Sequence, residues 1–165
     1  MEKKKPIRKR KEIMPMDIGK LPPQAIDLEE AVLGALLLES TSLRSVRSII
    51  EAKVFYKEIH QKIYQAIIDL DNESTIADIL TVTHKLKQKG ELDVVGGAYF
   101  ISQLTNRVAS AANIEVHSMI IFECHLKREQ IRFGSEMIKQ GYDDTVDVLD
   151  TNQMISKMAN DVNHE

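Results

Sequence analysis

The chain has 165 residues, of which 43% are apolar, a composition that fits one small domain with a buried core and excludes a largely disordered chain. A single cysteine excludes an internal disulfide, and no apolar run approaches the ~20 residues that a membrane span needs. The net charge of -3 hides an asymmetry, because residues 1–11 carry +6 and the remainder carries -9. Any contact with nucleic acid is therefore expected to use the basic end or a local patch.

The first segment, residues 1–20, lacks apolar periodicity and contains two prolines, so the sequence predicts a disordered basic arm. One interpretation of its charge run is a solvated tail. The other is a tether that contacts phosphates without specifying a sequence, and its affinity would fall steeply with salt. The candidate tether residues are Lys3, Lys4, Lys5, Arg8, Lys9, Arg10 and Lys11.

A helical segment is predicted over residues 21–108. Its first helix follows the Leu21-Pro22-Pro23 stretch, where Asp27 and Glu30 have the spacing of a capping box. Gly34 lies inside this helix, and glycine is tolerable there if another helix must approach closely.

The next two helices are predicted at about 42–50 and 57–70. His60 lies in the second of these, four residues from both Tyr56 and Tyr64. No acid or nucleophile has a matching spacing in the sequence, which favours a packed structural histidine over a catalytic base.

Two adjacent glycines, Gly96 and Gly97, raise the question of a phosphate-binding loop. A P-loop needs Gly-x4-Gly-Lys-Ser/Thr, and the one Gly-Lys pair is Gly19-Lys20, which a leucine follows. The pair is therefore predicted to turn the chain into a fifth helix. The fourth helix is expected to begin after an N-cap at Asp78 and to end before Gly90.

In the last segment, residues 109–165, a proline-free run of about 28 residues follows Asn113 and ends at Gly141, and a turn and a second amphipathic helix come after it. This pattern predicts an αα-hairpin. A hairpin that projects from a small core cannot bury both apolar stripes, so we expect it to pair with a second copy. The predicted self-association residues are Ile120, Cys124, Ile131, Phe133, Met137 and Ile138, and the predicted partner-docking residues are Arg128 and Tyr142.

Metal and catalytic sites are not predicted. His117, Cys124 and His125 are seven and eight residues apart, which could place them on one helix face, but the spacing supplies no fourth ligand for tetrahedral zinc. No Ser-His-Asp or Cys-His arrangement is indicated.

A series of short motifs runs through residues 21–163 in a fixed order. These are Pro22-Pro23, Glu30-Ala31, Leu33-Gly34, Phe55, His60, Ile63, Asp78, Thr81-Val82, Leu86, Gly90, Leu92, Gly96-Gly97, Leu104, Asn113, Glu123, Arg128 and Ile131. In this order they resemble the N-terminal domain of the DnaB-type replicative DNA helicase.

The resemblance implies an all-α fold, with a small globular head (21–108) followed by a long antiparallel helical hairpin (109–165). It implies a non-catalytic module whose hairpins pair head to head, with three pairs forming the collar of a hexamer. Primase would dock on this collar during DNA replication, and a helicase loader would contact it. The family's RecA-like ATPase motor, with its ATP and Mg2+, is absent from this chain, which is expected to be cytoplasmic and bacterial.

The alternative is a nucleic-acid-binding helical module that uses the basic arm for phosphate contacts. Aromatic residues make up only 5% of the chain, so a platform of stacking side chains for single strands is not indicated. DNA is accordingly expected to bind only weakly, or through a complete helicase.

Overall fold

The computed structural model describes residues 20–108, 110–143, 145, 147, 149, 152, 153 and 155–157. Within these residues the secondary structure is helical, with no strand, which confirms the predicted all-α class. The helices are α1 (Ile26–Leu38), α2 (Leu43–Val46), α3 (Glu58–Asn72), α4 (Ile79–Gln88), α5 (Gly97–Asn106) and α6 (Ile114–Gly141). Two 3-10 turns, Ser40–Ser42 and Ala52–Val54, flank α2.

Helix α1 is the centre of the head. It is buried around most of its circumference, from Glu29 to Leu37, because its sequence is apolar apart from Asp27 in the first turn and two glutamates. Helices α5 and α6 pack against it, and α3 packs against α1 and α4. The core is therefore built around one helix that has almost no solvent-facing side.

The predicted capping box of α1 is wrong. The helix begins at Ile26 after Ala25, and no side chain caps it. Asp27 lies in the first turn instead, where a carboxylate is favoured by the helix dipole. Glu30 is buried and pairs with Arg107 at 2.7 Å, so the carboxyl that the pattern assigned to the cap is used in a contact with the end of α5.

Gly34 permits close approach of α1 to α5, as predicted. A Cβ placed on Gly34 would lie 2.2 Å from the carbonyl oxygen of Leu104 and 2.5 Å from the Val108 side chain. A methyl group cannot fit at these distances, so the two helices could not pack this way around any other residue.

The predicted ends of α4 and the predicted glycine turn are confirmed. Asp78 accepts hydrogen bonds from the amides of Leu80 and Thr81, both at 2.8 Å, and its own amide donates to the Thr81 hydroxyl. Gly96 and Gly97 have φ angles of +94° and +73°. The Gly97 amide donates to the Leu92 carbonyl at 2.8 Å, so it is engaged within the turn and does not face a phosphate.

The first three turns of α6 belong to the core. Its buried residues are Ile114, Ser118, Ile121 and His125, at the spacing of one helix face. The core thus extends past residue 108, and the division of the chain into head and hairpin stays a prediction. Beyond His125, α6 continues for 16 residues, about 24 Å, in which no described residue is buried.

The second arm of the predicted hairpin is described only in part. Residues 149, 152, 153 and 155–157 are helical, whereas three apolar residues of this arm, Val148, Met158 and Val162, lie outside the described residues. None of the described helices has the length and apolar character that a membrane crossing requires.

Candidate functional site

Four of the predicted self-association residues share one flank of α6. Since α6 is one continuous helix, the spacings of four and seven residues place Ile120, Cys124, Ile131 and Ile138 within about 40° of one another. Ile131 is 50% exposed and Ile138 46%, while Cys124 is half-buried with a free thiol. These four residues are called the α6 stripe below.

The other two predicted residues, Phe133 and Met137, lie on a different flank. On a regular helix Phe133 is about 160° away from Ile131, and Met137 is about 100° away from Ile138. Phe133 is half-buried and Met137 is exposed. All six residues therefore cannot meet one partner helix on one face, and the two groups must have different neighbours.

Two apolar residues that the sequence pattern did not single out are more exposed than most of the stripe. Val116 is 58% exposed and Met119 60% exposed. Both point away from the buried face that contains Ile114 and Ile121, because they lie about 140° to 200° around the helix from Ile114. Their exposure could have been predicted from their positions around the helix, since apolar residues that do not lie on the core face remain in water.

A polar and a small residue continue the α6 stripe between its apolar members. Lys127 pairs with Glu123 at 2.6 Å, and this hydrogen bond raises the pKa of Lys127 above its ordinary value. No atom of the described residues lies within 4 Å of the position that a Cβ of Gly134 would take. Together with the stripe, these residues follow the alternating four- and three-residue spacing of a helix–helix seam.

The predicted docking residues are not close to each other. Arg128 is bound within the chain: its Nη1 donates to the Pro23 carbonyl at 2.9 Å and its Nη2 to the Val54 carbonyl at 2.6 Å. Tyr142 directly follows α6 and is 68% exposed. The two residues are 14 positions apart, about 21 Å along a helix, so they cannot form one small site.

A buried polar cluster that the sequence did not indicate lies between α1 and α3. His60 Nδ1 is 2.6 Å from a carboxylate oxygen of Glu29, and His60 Nε2 is 3.9 Å from Glu30. The Glu29 carboxylate also accepts from the amide of Tyr56, at 2.6 Å, and from that of Lys57, at 3.4 Å. His60 thus has acidic partners, but they come from a helix about 30 residues earlier and hold the fold together.

The remaining predicted positions give no chemical site. Among the described side chains, no group of three or more His, Cys, Asp or Glu residues could hold a metal ion. His125 faces the core, whereas Cys124 lies about 100° away on the stripe. The predicted tether residues between Lys3 and Lys11 lie outside the described residues, so DNA binding by the arm stays a prediction.

Comparison with known proteins identifies the family. The model of the DnaB-like helicase N terminal domain matches residues 21–123. The replicative DNA helicase DnaB of Rhodothermus marinus is 41% identical over 132 residues, which is 80% of this chain and 14% of that protein. DnaB of Geobacillus stearothermophilus is 35% identical over 132 residues, 79% of this chain and 29% of that protein. The chain thus spans less than a third of the length of these two relatives.

Solved structures agree in fold. The crystal structure of the N-terminal domain of DnaB helicase from Mycobacterium tuberculosis has a TM-score of 0.81 and 31% identity, covering 86% of this chain and 99% of that one. A DnaB-like replicative helicase, solved to describe its interactions with primase, has a TM-score of 0.70 at 22% identity and covers 84% of this chain and 31% of that one. The chain belongs to the family of DnaB-like helicase N-terminal domains.

Proposed function

We propose that this domain pairs with a second copy of itself through the α6 stripe, and that such pairs build the collar of a hexameric helicase. The observation that carries the proposal is the exposed run of Ile120, Ile131 and Ile138 along one flank of α6. Ile120 lies in the first turns, which also contribute to the core, whereas Ile131 and Ile138 lie on the part of the helix that continues for about 24 Å beyond His125. Exposed apolar side chains along one flank favour burial against another surface. Lys127 and Gly134 lie between these apolar members, at positions where a polar or small residue would set register and allow close approach.

The second proposed role is docking of primase at the distal end of α6. Tyr142 is exposed there, and the acidic residue that follows it, Asp143, is exposed as well. A large aromatic side chain beside charged groups is a frequent anchor in protein interfaces. The related helicase structure that describes contacts with primase supports this role by family likeness. Contacts with a loader, and ATP and Mg2+ in a motor domain, belong to the complete helicase of the bacterial cytoplasm.

Pairing is tested with two neighbouring substitutions on α6. Ile131→Asp places a charge in the stripe, whereas Gln130→Asp places the same charge on an exposed residue about 100° away. Burying an unpaired carboxylate costs several kcal/mol, so only the first variant should lose association in light scattering. Equal association of both variants would refute the assigned surface.

Docking is tested by titrating the fluorescently labelled chain with primase from the same source. Tyr142→Ala should weaken binding at least about tenfold, as removal of an aromatic hot spot does. Tyr99→Ala is the matched control, because Tyr99 is 76% exposed on the distant helix α5. Equal affinities of the two variants would remove Tyr142 from the docking surface while leaving pairing untouched.

A further inference from the structure

We infer that Arg128 is a positioning residue that fixes the direction in which the distal half of α6 leaves the head. Its guanidinium joins three parts of the chain at one point: the segment before α1, the turn before α3, and the middle of α6. This assignment replaces a role in recognising another protein with a role within the chain, and it does not depend on the proposed pairing.

The geometry is that of a two-pronged clamp. Nη1 and Nη2 each donate to a different backbone carbonyl, those of Pro23 and Val54, which are 31 residues apart in sequence. Because the guanidinium is planar and rigid, two such bonds fix its orientation as well as its position. Backbone carbonyls cannot change rotamer, so the clamp has rigid acceptors on the head side.

The Tyr56 ring packs against the guanidinium of Arg128. The guanidinium carbon of Arg128 lies 5.5 Å from the ring centroid, within the range of a cation–π contact. The Tyr56 amide is itself held by the buried carboxylate of Glu29 at 2.6 Å. The backbone of Tyr56 is thus anchored to α1, the central helix of the head. The ring that contacts Arg128 is therefore attached to the most buried part of the head.

Because of the position of Arg128 along α6, a small change of angle at this residue produces a large displacement of the end of the helix. His125 is the last buried residue of the helix, one turn earlier, and 13 residues follow Arg128 up to Gly141. These residues span about 20 Å, so a change of about 10° at the clamp would move the end of α6 by about 3.5 Å. Where the domain assembles as proposed above, such a displacement would alter the geometry of the pairs.

The inference is tested by measuring a distance between the head and the end of α6. Spin labels are attached at Lys87→Cys on α4 and Lys139→Cys on α6, both exposed positions, in a Cys124→Ser background, and the labelled chain is diluted with unlabelled chain. Wild-type Arg128 should give one narrow distance distribution. Arg128→Met, which keeps the stem and removes the donors, should shift or broaden it by about 3 Å or more.

Two further variants separate the clamp from general packing. Arg128→Lys retains the charge but cannot bridge two carbonyls in a fork, so it should fail to restore the narrow distribution. Gln130→Met is the control, because Gln130 is an exposed residue of the same helix two positions from Arg128, and the distribution should stay narrow.

Helicity by circular dichroism checks that each variant is folded. If Arg128→Met loses its helicity, the distance distributions of Arg128→Lys and Tyr56→Leu are compared with that of the wild type. Tyr56→Leu removes the ring and leaves the two carbonyl bonds in place. A wild-type distribution in every folded variant at Arg128 and Tyr56 would overturn the inference, as would equal broadening in Gln130→Met.

Discussion

The Glu29 carboxylate and the His60 imidazole lie 2.6 Å apart with both side chains buried, and they link α1 to the start of α3. The same carboxylate accepts the amides of Tyr56 and Lys57, which precede α3 and are free of intrahelical partners. Glu29 therefore anchors the backbone that leads into α3. The pair holds together two helices on which the rest of the head packs.

Removing either partner should destabilise the domain strongly. Glu29→Ala leaves a buried imidazole and two amides without their acceptor, which is expected to cost about 3–5 kcal/mol in the free energy of unfolding. Glu58→Ala is the control, because that carboxylate is mostly exposed and its pair with Lys62 should contribute less than about 1 kcal/mol. Urea unfolding measures both, and a Glu29→Ala variant as stable as Glu58→Ala would contradict the assignment.

Alanine at two helical glycines should have opposite effects. Gly34→Ala forces a methyl group against the Leu104 carbonyl and should destabilise the fold by about 1–3 kcal/mol. Gly134→Ala meets no atom of the described residues and should stabilise the unpaired chain by up to about 1 kcal/mol through helix propensity. Thermal unfolding at a protein concentration low enough for the chain to be unpaired checks the sign of each change. A neutral Gly34→Ala would mean that α1 and α5 are not in close contact.

The cap of α4 should make stability depend on acid pH. Hydrogen bonding by the Thr81 amide, opposed by burial and aided by the Thr81 hydroxyl and the Leu80 amide, holds the pKa of Asp78 below its usual value. Since the folded-state pKa is lowered, the unfolded chain takes up the proton first as the pH falls. The contribution of the carboxylate is therefore complete above the unfolded pKa of about 3.9 and is lost as the pH falls through the lowered value.

Replacement of Asp78 by Asn tests this dependence of stability on pH. Asp78→Asn keeps a side-chain cap without a titrating group, whereas Asp78→Ala should lose about 1 kcal/mol at neutral pH. Denaturant unfolding at pH 7 and pH 3 should show a stability difference between wild type and Asp78→Asn that becomes less favourable to wild type at the lower pH. A difference that does not change with pH would show that the Asp78 charge contributes nothing.

Features set by neighbours in sequence could be predicted, and features set by distant contacts could not. The capping box at Asp78 and the turn at Gly96 and Gly97 follow from local rules, and the structure contains both. The cap assigned to Asp27 failed because Glu30 pairs instead with Arg107, 77 residues away. A pattern of neighbouring residues cannot indicate an ion pair with a residue so distant in sequence.

The same limit applies to the candidate site. The periodicity of α6 located the stripe of Ile120, Ile131 and Ile138, because a helix repeats on a fixed angle. The role of Arg128 within the fold could not be predicted, since its acceptors are backbone carbonyls, which leave no mark on the sequence. The partner of His60 escaped prediction because the acid comes from α1.

The α6 stripe is proposed to be buried against a second copy of the chain. Sedimentation equilibrium of the wild-type chain over a range of micromolar concentrations measures whether such pairs form. We expect a mass that rises to at least twice that of the chain, and a mass that stays near that of one chain in Ile131→Asp. A wild-type chain that remains a monomer across this range, with α6 fully helical, would contradict it.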